Sequence, residues 1–102
     1  MAEVTESPGS IIRRCRDRKG LTLEELALDI TSSVPHLSAI ERDVRTPSEE
    51  IIEALAERLG LTEEELLTVY AGFGMLPPIF KQFVRNNIRK VVEVLQPFIV
   101  EK

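Results

Sequence analysis

Side chains spaced for contact with another molecule lie between Leu21 and Ser48, in the stretch LTLEELALDITSSVPHLSAIERDVRTPS. Two short helix patterns sit there, joined by Thr31, Ser32 and Ser33, with a charged loop behind the second. Two helices held at a fixed angle across a short turn can place the second in a DNA major groove. The chemistry there is hydrogen bonding to base edges and phosphate oxygens. The positions expected to face bases are Val34, Pro35, His36 and Ala39, a set poor in hydrogen-bonding groups. Leu26 and Ala27 on the first helix, and Leu37 and Ile40 on the second, are expected to face inward, with Ile30 closing the turn. A plain helical hairpin is the other reading of the same pattern.

No other constellation competes. One histidine and one cysteine make no plausible zinc site, and a glycine-rich phosphate loop is missing. The sequence therefore predicts no catalytic residues, no metal and no cofactor, and a protein that is not an enzyme. Cys15 is expected to sit in the core beside Ile12 and to form no internal disulfide. Hydrophobic residues are 43% and charged residues 29%, which fits a folded chain. Its 102 residues suffice for one domain with one core. An apolar run near the ~20 residues of a membrane span does not occur. MAEVTESPGS lacks the basic and apolar regions of a signal peptide, so a cytoplasmic protein with no membrane partner is expected.

The net charge of -4 argues mildly against nucleic acid, but the distribution argues the other way. Five of the basic residues cluster in Arg13–Lys19, while residues 47–78 carry one base against seven acids. Residues 79–102 carry five bases and two acids. Binding depends on the local field at the contact face, so an acidic middle leaves a basic edge possible.

Stepwise signals place the elements. Ser10 is expected to cap a first helix running to Lys19, closed by Gly20. Thr22 and Glu25 read as a capping box for a second helix, ending near Ile30. Ser33 caps a third, with Pro35 in its first turn and an end near Arg42 or Asp43. Pro47-Ser48 opens a fourth from Glu49 to Leu59, closed by Gly60. Thr62 and Glu65 repeat the capping box for a fifth, Glu63 to about Ala71. Glutamates in the first turns of the fourth and fifth helices complement the helix dipole and account for much of the acidic middle. After Gly72, Gly74, Pro77 and Pro78, one long helix from about Ile79 to Gln96 is predicted. Phe80, Val84, Ile88, Val91, Leu95 and Phe98 form a single apolar stripe along it, read as a dimerisation face. Folding back onto its own domain is the alternative.

Residues 11–69 resemble the Cro/repressor-type helix-turn-helix family, also called the XRE family. The likeness rests on IIRRCRDRKGLTLEELA, the three-residue turn, LSAIERDVRTPS and IIEALAERLGLTEEELL. AGFGMLPP is similar to the segment that follows this domain in longer members. The resemblance implies an all-α, five-helix lambda-repressor-like domain that binds double-stranded DNA. It implies base-reading positions at Leu23, Ser33, Val34, Pro35, His36 and Ala39. It also implies a phosphate-binding frame of Thr22, Ser32, Ser33, Ser38, Arg42 and Arg45, which would fix register without reading sequence. Val34, Pro35 and Ala39 would touch thymine methyls, and His36 would make a polar base contact. Arg16 and Glu41 match a structural salt bridge between the first and third helices. Asp43 stands where a glycine is common, and puts a negative charge near the expected phosphates.

The expected organisation is a flexible tail over residues 1–9, a helix-turn-helix DNA-binding domain over 10–72, and a linker with a dimerisation helix over 73–102. The expected function is a sequence-specific transcriptional regulator, a repressor that binds a palindromic operator as a homodimer through residues 33–42. It would be of prokaryotic, phage or plasmid type and associated with the nucleoid when bound. With no ligand-sensing feature, control would come from abundance or from a regulatory protein partner. The alternative is a protein-interaction helix-turn-helix, such as an antitoxin or a regulator-binding partner, that uses the apolar Val34–Ala39 surface.

Overall fold

A computed structural model describes residues 6–95, without the side chains of Val91 and Leu95. Those residues form seven helices and no strand: α1 (Pro8–Lys19), α2 (Leu23–Asp29), α3 (Val34–Glu41), α4 (Glu49–Leu59), α5 (Glu63–Gly72), α6 (Pro78–Asn86) and α7 (Ile88–Leu95).

Local chemistry sets both ends of the first five helices. Ser7, Thr22, Ser33, Ser48 and Thr62 each accept a hydrogen bond from a backbone N–H in the first turn. Each such cap contributes about 1 kcal/mol. Thr22–Glu25 and Thr62–Glu65 close as full capping boxes. At the other end, all five helices stop in a Schellman turn, in which a residue of positive φ reverses the chain. Gly20, Gly60 and Gly74 take that position after α1, α4 and α5. After α2 it falls to Thr31 (φ 56°), and after α3 to Asp43 (φ 62°). The α2 turn is closed by Ser32 N–H to Ala27 C=O at 2.8 Å, the α3 turn by Val44 N–H to Ala39 C=O at 2.9 Å.

Thr31 is β-branched, and left-handed backbone is costly for such a residue. Thr31→Gly should therefore stabilise the fold by roughly 0.5–1 kcal/mol, once the extra freedom of glycine in the unfolded chain is subtracted. A thermal melt would show this as a rise of a few degrees. A fall would mean that the threonine side chain carries something the backbone does not reveal.

The core lies around α1, which packs against α3, α4 and α5, while α2 packs against α3. Ile12, Cys15, Leu26, Leu37, Ile40, Ile52, Leu55, Leu59, Val69 and Tyr70 are all fully buried. Each large aliphatic side chain among them contributes roughly 1.5–3 kcal/mol of burial. Burial pushes the Cys15 thiol up from its ordinary pKa, which keeps it protonated and unreactive. Tyr70 donates its hydroxyl to Glu53, tying α5 to α4. Burial and the neighbouring carboxylate together hold that phenol above its ordinary range.

Two expectations need correction. α1 opens at Ser7–Pro8, not at Ser10, so Pro8 and Gly9 are its first turn and not part of a tail. Proline is well suited there because its missing N–H has no intrahelical partner to lose. The single C-terminal helix is instead two, α6 and α7, interrupted at Asn87 (φ -126°). The Asn87 side-chain amide donates to the Phe83 carbonyl at 2.8 Å, and its backbone N–H is shared between the carbonyls of Phe83 and Val84. This side chain competes with the helical ladder, as asparagine does. Phe80, Val84 and Ile88 of the apolar stripe lie within the described side chains; those of Val91, Leu95 and Phe98 lie outside them.

Candidate nucleic-acid interface

An ion pair with α1 holds α3 in place. The Arg16 guanidinium grips Glu41 through two bonds, Nε–Oε2 at 2.6 Å and Nη2–Oε1 at 3.1 Å. Its remaining Nη1 donates to the Leu21 carbonyl at 2.7 Å. One side chain on α1 thus fixes the start of α2 and the end of α3 together. The two side chains are only 12% and 6% exposed, so the pair is largely withdrawn from water. Glu41 raises the pKa of Arg16 further, and the arginine stays charged.

On the outer side of α3, Ser33, Pro35, His36, Ala39 and Arg45 line one shallow hollow. Pro35 and Arg45 are exposed, whereas Ala39 is only 9% exposed and forms the floor. Arg42 is exposed beside it, its Nε donating to Ser38 Oγ at 3.3 Å. Leu23 and Val34 are placed differently. Both are half-buried and pack against the core, so only part of each side chain reaches the surface. Thr22 Oγ1 and Ser33 Oγ already accept backbone N–H groups as caps. Each hydroxyl keeps its own O–H free to donate outward. Ser32 is half-buried in the turn.

Asp43 does not face this hollow. Its Oδ1 accepts the Gly9 N–H at 2.8 Å, so its charge lies at the N-terminus of α1, where a negative charge is favoured. Gly9 itself is pressed against the end of α3. A Cβ there would fall 2.4 Å from the Ile40 carbonyl oxygen and 2.5 Å from that of Glu41. On the neighbouring side, Pro8 lies so close to Gly72 that a Cβ on Gly72 would meet it at 2.7 Å. Neither Gly9 nor Asp43 was legible as a packing residue, because their partners are distant in sequence. The two breakers in SPGS were the available signal, since Ser-Pro is also a good helix start.

The α1 cations are divided. Arg14 pairs with Glu6 at 2.9 Å and with Glu65 at 3.2 Å, and Arg18 approaches Glu65 at 3.5 Å. These two arginines serve the α1–α5 contact rather than the α3 side. Glu65 is held down to about 2, first by the Thr62 backbone N–H and then by the two arginines. Its carboxylate therefore contributes stability fully above the ordinary carboxylate value of 4.5, and that contribution is lost as pH falls towards 2. Glu65→Gln should flatten the acid limb of a melting-temperature profile over that window. An unchanged limb would assign the acid sensitivity elsewhere.

This geometry, a part-buried arginine–glutamate clamp behind a third helix whose outer side is open, is that of a helix-turn-helix domain. A family model described as helix-turn-helix matches residues 12–66, and the chain belongs to this family, in its Cro/XRE type. Among curated proteins, it is 39% identical over 56 residues to the HTH-type transcriptional regulator DdrOP3 of Deinococcus deserti, covering 55% of this chain and 43% of that protein. An uncharacterised HTH-type transcriptional regulator of Mycobacterium tuberculosis is 34% identical over 80 residues, covering 78% of this chain and 55% of its own length. Another from Sinorhizobium fredii, y4dJ, is 40% identical over 60 residues, covering 59% of this chain and 78% of its own. The chain thus spans about half the length of the first two. No solved structure matches significantly.

Proposed function

We propose that the chain is a sequence-specific DNA-binding transcriptional regulator, a repressor that acts as a homodimer on a palindromic operator. α3 enters the major groove, and half-sites lie about 34 Å apart on one face of the duplex. The observation that carries this reading is the hollow on the outer side of α3, where Ser33, Pro35, His36 and Ala39 meet Arg45. The relatives' names, HTH-type transcriptional regulators, agree with it. His36 makes the polar base contact, while Pro35, the floor at Ala39 and the exposed part of Val34 touch thymine methyls. Leu23 contributes the exposed edge of its side chain beside them. Thr22, Ser32, Ser33, Ser38, Arg42 and Arg45 hold phosphates and set register. Homodimerisation uses the C-terminal apolar stripe.

A salt titration on duplex DNA tests the contact. Affinity should fall steeply between low and moderate salt, and Arg42→Ala should reduce the slope of log affinity against log salt by about one. Binding indifferent to salt and to Arg42 would favour a protein partner for the α3 surface.

A further inference from the structure

Among the described residues, α6 and α7 present apolar side chains that the fold leaves uncovered. Ile79, Phe83 and Ile88 are 70%, 58% and 54% exposed. The charges of this arm oppose simple self-pairing. Residues 79–95 carry Lys81, Arg85, Arg89 and Lys90 against Glu93 alone, so two such arms side by side would repel. The α4–α5 segment has the opposite balance: apart from Glu65, which pairs with Arg14 and Arg18, it carries six glutamates against Arg58 over residues 49–72. The two surfaces already meet once within the chain, where Lys81 Nζ reaches Glu49 at 3.0 Å.

Shape follows the same division. Leu76, Val84 and Ile88 line a hollow of about 480 Å3 on the arm, with Lys81 and Arg85 also lining it. On α5, Leu67 is an exposed apolar side chain, with Glu63 and Glu64 four and three residues before it. Positions so spaced are neighbours on a helix surface. Leu67 lies in a shallow hollow lined also by Tyr70, Pro77, Pro78 and Ile79, so an apolar patch with acidic flanks complements the apolar arm with its basic flanks. The arm is long enough to cover such a face. α6 alone, with nine residues, spans roughly 14 Å at 1.5 Å each, against about 15 Å for the ten residues of α5.

Building on the homodimer reading above, we propose that the arm of each protomer lies on the acidic α4–α5 face of its partner, with the Leu67 patch of one copy against the arm hollow of the other. The exchange is reciprocal, so a two-fold axis satisfies both contacts at once.

Charge-swapped variants of the full chain test this by sedimentation velocity. Arg85→Glu with Arg89→Glu reverses the arm, and Glu63→Lys with Glu64→Lys reverses the two charges that flank Leu67 on the face. Each variant alone should weaken the dimer at least tenfold, and an equimolar mixture should restore it, because only the heterodimer has opposite charges at both contacts. Far-ultraviolet circular dichroism establishes that each variant is folded. Leu67→Ser supplies an uncharged variant with the same expected loss if a reversal unfolds the chain. A wild-type dimer that ignores both the face reversal and Leu67→Ser would overturn this inference and leave the homodimer intact. A monomeric wild type would overturn both.

Discussion

Glu41→Gln lowers stability by roughly 1–3 kcal/mol, because it leaves the part-buried Arg16 charge with only the exposed Asp17, 3.8 Å away, as a counter-charge. The geometry supports a value in that range. Arg16 spends its donors on Glu41 and on the Leu21 carbonyl, and the side chains of the pair are 12% and 6% exposed. For a domain of this size, such a loss lowers the melting temperature by roughly 5–20 degrees. Chemical denaturation measures it directly. An unchanged midpoint would mean that the pair is solvated in the protein and contributes no more than a surface ion pair. The opposite replacement, of both partners together by apolar residues, should cost much less than either single change, since no charge is stranded. That contrast separates the penalty of an orphaned charge from the worth of the pair.

Gly9→Ala is the second large effect. The added Cβ would sit inside contact distance of two backbone carbonyl oxygens at the end of α3, and backbone cannot swing aside as a side chain can. Relief requires α1 to move away from α3, which also breaks the Gly9 N–H bond to Asp43. The expected cost is roughly 1–3 kcal/mol, the ordinary range for forced overpacking. DNA affinity should fall further than the folded fraction explains, because α3 itself is displaced. Gly20→Ala supplies the comparison. It adds a Cβ with nothing within 4 Å, so its cost is only that of a left-handed alanine. Equal losses from the two replacements would remove the close approach at Gly9 as the explanation.

Signals confined to a few neighbouring residues were readable from the sequence. The capping boxes at Thr22 and Thr62, the caps at Ser33 and Ser48, and the glycines after α1 and α4 place four helices and their ends within one or two residues. Inward positions followed from helical spacing: Leu26, Ala27, Leu37 and Ile40 are buried. Contacts between distant segments were not readable. Pro8–Gly9 resembled a break because nothing nearby shows that α3 and Asp43 lie against it. Glu65 was legible as half of a capping box, but not as the acid that gathers Arg14 and Arg18. Tyr70 and Glu53 gave no local sign of their bond. In the long C-terminal stripe, apolar periodicity outweighed Asn87, whose side chain takes a helical carbonyl and interrupts the helix. At the candidate interface, spacing brought Ser33, Pro35, His36 and Ala39 to one surface. It could not show that Leu23 and Val34 divide themselves between that surface and the core.

Selection of binding sites from a random duplex pool decides whether α3 reads DNA sequence. The wild-type protein should enrich a palindrome whose half-sites are about one helical turn apart. The enrichment should weaken as salt rises, and His36→Ala should relax the preference at one position of each half-site while leaving the others unchanged. A pool that stays random at low and moderate salt would contradict sequence reading by α3 and assign that surface to a protein partner.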